Sequence, residues 1–301
     1  MKLSVTGCLK LVTLGAIAAL VITGTEVGSV GASQTTTIPT VAASPSLAAA
    51  VPAAIKTNGS LTIALDATYA PDEFVASDGT TIIGMDADLA QSIGQVLGLK
   101  VTLLNATFDT IIPALQSGKY DLGMSSFTDT KAREKIVNFV DYFVAGEGYY
   151  VSSNSSYHPN GLSALCGHSV SVESGTTEQS DAQSQAKACK SKKKGAVKVL
   201  SFSNQNNANL AISSGRANVG FADSQVAQYI VEQSNGQFHS TGKAFETAPY
   251  GIAVPKGTTL DKSVQGAIKQ LISDGTYLKI MKKWGIQAGA VKSAPLNGAK
   301  S

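Results

Sequence analysis

Two stretches of the chain repeat one pattern of apolar and polar positions. In Leu115-Gln-Ser-Gly-Lys-Tyr-Asp-Leu-Gly-Met-Ser125 and Ile212-Ser-Ser-Gly-Arg-Ala-Asn-Val-Gly-Phe-Ala222, an apolar-periodic helix stops at a glycine (Gly118, Gly215) and a basic residue follows. A short apolar strand then runs into a polar cluster, Ser125-Ser-Phe-Thr128 in the first stretch and Asp223-Ser224 in the second. Each stretch reads as the end of a β-α-β crossover. The first series has strands over 61–65, 101–104 and 121–124, with helices over 84–97 and 108–116 and a short helix capped by Thr130 that carries Arg133. The second has strands over 170–172, 197–200 and 217–221, with helices from 177, over 207–213 and over 225–233. This order demands a mainly parallel sheet with right-handed crossovers in each series, hence an α/β fold in two lobes. A strand over 248–254 and helices over 260–273 and 276–284 have no crossover partner of their own and are expected to return to the first lobe. Trp284, on the amphipathic last helix, reads as core packing.

At 301 residues the chain exceeds what one core usually takes. Its start reads as an export signal over residues 1–32: Lys2 and Lys10 precede or flank an apolar run over 11–22, and Val30-Gly-Ala32 fits a small-residue cleavage site. An uncleaved anchor is the competing reading, and Cys8 precedes the apolar run, which argues against lipidation. Without residues 1–32 the formal charge changes from +3 to +2, since Lys2, Lys10 and Glu26 go. That is too small and too interspersed for nucleic-acid binding, and Lys190-Ser-Lys-Lys-Lys194 reads as a solvated loop. Residues 33–57, rich in Thr, Ala, Ser and Pro, read as a disordered linker, and 291–301 as a disordered tail. In an exported protein, Cys166 and Cys189 most simply form one disulfide. Those two cysteines and three histidines make a structural metal site unexpected.

The polar residues at strand ends and helix starts are Asp66, Ser125, Ser126, Thr128, Arg133, Thr176, Thr177 and Asp223, and together they suit a zwitterion. A planar guanidinium and the N–H groups of a helix start match an α-carboxylate; Arg133 and Gly175-Thr-Thr177 supply both. Asp223, Thr128 and the Ser125-Ser126 carbonyls match an α-ammonium. Tyr69 and Phe108 are placed to cover a side-chain stem. No catalytic residue and no cofactor is expected.

Several ordered segments resemble the polar amino-acid family of solute-binding proteins that serve ABC importers, a family with the type II periplasmic-binding-protein fold. They are Leu65-Asp-Ala-Thr-Tyr69, Gly84-Met-Asp-Ala-Asp-Leu89, Phe108-Asp-Thr-Ile-Ile-Pro-Ala-Leu115, Ser125-Ser-Phe-Thr128 with Arg133, Ser174-Gly-Thr-Thr177, Gly220-Phe-Ala-Asp223 and Pro249-Tyr-Gly-Ile-Ala-Val254. The resemblance spans about 61–285. It implies a two-lobed clamp crossed twice by the chain, near 148–152 and 241–247, with lobe 1 over 58–149 and 245–290 and lobe 2 over 150–244. It further implies that Arg133 and Thr177 hold the ligand carboxylate, that Thr128, a Ser125 or Ser126 carbonyl and Asp223 hold the ammonium, and that Tyr69 and Phe108 sandwich the side chain. Asp66 then faces the ligand's side-chain end, which favours glutamine or a basic amino acid over an acidic one. Ala70-Pro-Asp-Glu-Phe74 departs from the family pattern, and Glu73 reads either as facing that side chain or as a solvated loop residue. The implied partners are a free L-amino acid and the membrane subunits of an importer, for a monomer on the extracytoplasmic face of the envelope. The rival readings are a cyclic-acid dehydratase on the same fold and a ligand-sensing receptor domain.

Overall fold

In the computed structural model, residues 40–300 are described. The expected signal segment 1–32 and the first part of the expected linker lie outside them. Chain order gives α1 (Pro45–Ala50), α2 (Ala53–Asn58), β1 (Ser60–Leu65), β2 (Thr68–Tyr69), β3 (Glu73–Val75), β4 (Ile82–Ile83), α3 (Met85–Leu97), β5 (Lys100–Asn105), α4 (Phe108–Gln116), β6 (Leu122–Gly123), α5 (Lys131–Glu134) and β7 (Val137–Ser152). There follow β8 (Ser169–Glu173), α6 (Thr177–Ser191), β9 (Lys198–Phe202), α7 (Gln205–Ser213), β10 (Val219–Asp223), α8 (Ser224–Gln233), β11 (Phe238–Pro255), α9 (Leu260–Ser273) and α10 (Thr276–Lys283).

One sheet of eight strands runs β5-β1-β6-β11-β7-β10-β8-β9, and a small sheet runs β2-β3-β4. The outer pairings β1/β5, β1/β6, β8/β10 and β8/β9 are parallel, as the crossovers require. The centre is an antiparallel ribbon of β7 and β11, 16 and 18 residues long, which belongs to both halves. On one side Tyr250 pairs with Phe143 and Ala253 with Gly123 of the first half; on the other, Tyr149 and Glu147 pair with Phe221 and Asp223 of the second. Between them the register slips at Thr241/Phe245 and Phe245/Ala248, so both strands change halves around 145–148 and 241–248. Because β11 and β7 pair outward to parallel strands of opposite halves, the carboxyl ends of β1, β6, β8 and β10 converge on one cleft.

The linker expectation is corrected over its described part. Val41, Val51 and Ile55 are buried in the first half's main core, Val41 N–H donates to Gln95 Oε1 at 2.8 Å, and Ser44 N–H donates to the Val96 carbonyl at 2.8 Å. Alanine favours helix, and α1 packs Leu47 and α2 buries Ile55 against this core. Gly266 of α9 makes room for α1: a Cβ there would lie 2.3 Å from Leu47. The tail is likewise packed. Phe139 N–H donates to Asn297 Oδ1 at 2.7 Å, Asn297 N–H donates back to the Phe139 carbonyl at 3.0 Å, and Ala294 and Ala299 are buried. Its backbone satisfies the outward-facing groups of β7, an edge interaction that leaves no hydropathy signature. Trp284 packs edge-on against Phe74 and donates from Nε1 to Asp88.

The cysteines pair, Cys166 with Cys189, tying the end of α6 to the turn before β8. Among the described residues no helix is long and apolar enough to cross a membrane, and no group of three or more His, Cys, Asp or Glu side chains is arranged to hold a metal ion.

Candidate functional site

Every element that contributes to the cleft ends or begins there. Asp66 closes β1 and is 4% exposed. Its Oδ1 accepts from Thr68 Oγ1 at 2.7 Å, its Oδ2 from Phe108 N–H at 3.1 Å, and its own N–H donates to Ser125 Oγ at 2.9 Å. Phe108 opens α4 and stacks on Phe127 with centroids 4.6 Å apart. Arg133 on α5 lies over both rings, 5.5 and 5.6 Å from their centroids.

The second half meets the first at this level. Arg133 Nη1 donates to the Thr128 carbonyl at 2.7 Å and Nη2 to the Gly175 carbonyl at 2.8 Å. Thr128 Oγ1 and Thr177 Oγ1 are 3.3 Å apart, and Tyr69 OH donates to Asp223 Oδ2 at 2.8 Å while accepting from Asp223 N–H at 3.0 Å. Gly175 is required here twice over. Its φ is +83°, and a Cβ would stand 2.7 Å from Cβ of Asp109 in the facing half. Thr176 caps α6, accepting from Gln179 N–H and donating to the Glu173 carbonyl, so its hydroxyl holds the loop in shape.

These residues close tightly on a cavity of about 10 Å³, room for roughly one water molecule. Its lining holds all ten residues singled out from the sequence: Asp66, Tyr69, Phe108, Ser125, Ser126, Thr128, Arg133, Thr176, Thr177 and Asp223. It also holds two that sequence reasoning passed over, Glu173 and Glu178. Glu173 ends β8, where an acid breaks the strand's apolar pattern immediately before the glycine turn. Glu178 looks like an ordinary first-turn acid of α6. Each is 2% exposed, and each has a carboxylate oxygen, Oε1, with no hydrogen-bond partner.

Glu73 is elsewhere, and both readings of it are corrected. It is fully buried beneath the cavity floor, accepting from Ser125 Oγ at 2.9 Å and from Ser126 Oγ at 3.2 Å. Asp72 accepts from Ser126 Oγ, and Asp86 accepts from Ser126 N–H and from Tyr142 OH. Three carboxyls thus hold the Ser125-Ser126 turn, in which Ser126 has φ +50°. The apolar Phe74, which packs on Tyr229 and Trp284, draws the loop inward and Glu73 with it.

The cavity's titration follows from burying acids with one base. Burial raises the pKa of Asp66, and burial and then the charge of Asp66 raise Glu173 well above the usual carboxylate range. Glu178 is pushed up to about 8 by burial and by Asp223, and Asp223 to about 7, mainly by burial. Burial lowers the pKa of Arg133, against the attraction of Glu178 and Asp223. Four carboxyls and one guanidinium therefore face a cavity whose first-half end is walled by Asp66, Phe108 and, from across the cleft, Glu173.

A family model described as "Bacterial extracellular solute-binding proteins, family 3" matches residues 61–287. Among curated proteins, the chain is similar to the arginine-binding protein ArgT of Corynebacterium glutamicum, with 32% identity over 254 residues, 84% of this chain and 83% of that one. It is also similar to the glutamine-binding protein GlnH of a Bacillus subtilis ABC transporter, with 33% identity over 208 residues, 67% of this chain and 72% of that one. Among solved structures, an ancestral arginine-binding protein bound to arginine matches with a TM-score of 0.70 and 36% identity, covering 75% of this chain and 98% of that one. These relatives are named as binding proteins, not as enzymes.

Proposed function

The chain belongs to the bacterial extracellular solute-binding proteins of family 3, and from that premise we propose that it captures a cationic L-amino acid, arginine foremost, and delivers it to an ABC importer. The observation that carries this reading is the excess of acid in the cavity, above all Glu173 facing the same end as Asp66 with Oε1 unpartnered. Arg133 and the N–H groups at the start of α6 match the ligand carboxylate, and Asp223 with Thr128 matches its ammonium. That accounts for a zwitterion and leaves Asp66 and Glu173 for the side chain.

A side chain placed there has to offer donors to two carboxyls and bring positive charge. Guanidinium does both, with five donors in a plane that also stacks on the Phe108 ring. Lysine brings the charge through a compact ammonium without the fork, and glutamine brings two N–H donors without the charge. The names of the relatives agree with arginine and with glutamine. Closure follows from ligand contacts made by both halves, which favour the joined arrangement over an open one.

A thermal-shift screen of the protein against the twenty amino acids tests this, because a ligand that binds only the folded state raises the melting temperature. Arginine should give the largest shift, lysine a smaller one, and Arg133→Ala should abolish both. A largest shift with an acidic or an apolar amino acid contradicts the proposal.

A further inference from the structure

Away from the cleft, charge is segregated along the chain. Between residues 182 and 222 there are six lysines, all from Lys187 to Lys198, and Arg216, with no aspartate or glutamate. Residues 148–172 contain no acid either.

The fold gathers these bases at one end. α6 begins on the cleft at Thr177 and runs back along the sheet for 15 residues, roughly 20 Å at the helical rise, to Lys190 in its last turn and Lys192 at its C-cap. Lys198 opens β9 opposite Ser169, the first residue of β8. Arg216 lies two residues before Asn218, whose side chain accepts from Ser169 N–H and Oγ, so it too stands where the strands begin. All of these side chains are on exposed residues. The ion pairs among the described residues are Lys131–Glu134 and Lys283–Asp88, both in the first half, so none compensates this end. The Cys166–Cys189 bond fixes the helix end that displays the lysines. Asp181 and Glu178 sit at the opposite, cleft end of α6, and Glu232 at the end of α8 accepts from Gln228 beside the hinge groove.

We propose that this basic end docks the protein by charge on an anionic phospholipid surface, with the cleft directed away from the lipid. Lysines are mobile point charges that suit a diffuse field of phosphates, whereas one bound phosphate wants an arginine fork or a helix start. α6 presents its C-terminus here, the negative end of its dipole, which disfavours a single bound anion. Leu210, 60% exposed on the last turn of α7 at the same strand-start end, offers an apolar side chain to the headgroup layer. Membrane attraction of this kind falls off within a Debye length and is strongest at low salt.

The test is co-sedimentation of the full chain with vesicles of phosphatidylcholine alone and with roughly one phosphatidylglycerol in three. The parent is compared with a variant carrying Lys190→Gln, Lys192→Gln, Lys193→Gln and Lys194→Gln. The parent should bind the anionic vesicles selectively, weaken with salt, and exceed the variant by roughly a thousandfold, at about 1 kcal/mol for each of four lysines. Melting temperature and amino-acid binding should be equal in the two; were the variant unfolded, Lys187→Gln with Lys198→Gln on separate elements gives the same reading. Equal binding by parent and variant would overturn the proposal and place attachment in another segment. So would no preference for anionic vesicles, or displacement by inorganic phosphate beyond that by sodium chloride of equal ionic strength, which would mark a discrete phosphate site.

Discussion

Glu173→Gln separates ligand recognition from folding, because the same atom works against one and for the other. The Glu173 carboxyl is 2% exposed beside Asp66, with Oε1 unpartnered, and burial holds it well above the usual carboxylate range. Burial therefore favours its protonated form, and the isosteric amide, which is also neutral, costs the folded protein little. A guanidinium arriving between Glu173 and Asp66 reverses the preference and releases the proton. A hydrogen bond to a charged group contributes about 1.5–3 kcal/mol, so its loss weakens arginine roughly tenfold to a hundredfold. Glutamine brings no charge, and its affinity should change by less than about threefold. Titration calorimetry in two buffers of different ionisation enthalpy measures both quantities: arginine binding to the parent releases up to one proton through Glu173, and binding to the variant releases less. The melting temperature of the unliganded variant should equal or exceed the parent's. An unchanged arginine affinity, or a loss shared equally with glutamine, refutes this account of Glu173.

Three further outcomes follow from the structure. Gly175→Ala forces a Cβ within 2.7 Å of Asp109 across the cleft at a φ of +83°, so amino-acid affinity should fall at least tenfold, beyond the few degrees of melting temperature that the backbone strain alone costs; a normal affinity would mean the halves need not meet there. Ile55→Ala should cost about 2 kcal/mol or more in denaturant unfolding, because the residue is buried in the first half's core; a tether would lose nothing. The unliganded protein should lose stability as pH rises from about 4 to about 7. Asp72 and Asp223 titrate near 7 and Asp86 near 6 in the folded state against 3.8 ordinarily, so the folded form holds more protons than the unfolded one, and stability present below pH 4 is lost through this window. Asp72 alone accounts for something on the order of 4 kcal/mol, readable as urea midpoints at pH 5 and pH 8; equal midpoints would contradict the burial of these acids.

The fold was legible where chemistry follows periodicity. The repeated helix-stop-strand pattern at Gly118 and Gly215 gives the crossovers, and the polar residues after each strand fall on one cavity because strand carboxyl ends share an edge. Of the antiparallel ribbon of β7 and β11, the sequence shows a strand only over 248–254 and otherwise two crossing points, since a strand that belongs to two halves has no single buried face. α1 and α2 are hidden by composition: an Ala-rich stretch looks like a tether until Val41, Val51 and Ile55 are seen buried in one core. Glu173 and Glu178 were missed because each has an ordinary local explanation, as a strand end and as a first-turn acid. Glu73 was misplaced for the opposite reason. An acid in a Pro-containing loop reads as surface, and only the packing of Phe74 and the hydroxyls of Ser125 and Ser126 bring it inside.

Equilibrium dialysis of the protein against an equimolar mixture of arginine and glutamine tests the central claim most directly, since both ligands share the zwitterion and differ only in what they offer Asp66 and Glu173. The account predicts that the retained amino acid is at least nine parts arginine to one part glutamine, and that the ratio falls in Glu173→Gln. Retention of glutamine in excess would contradict it.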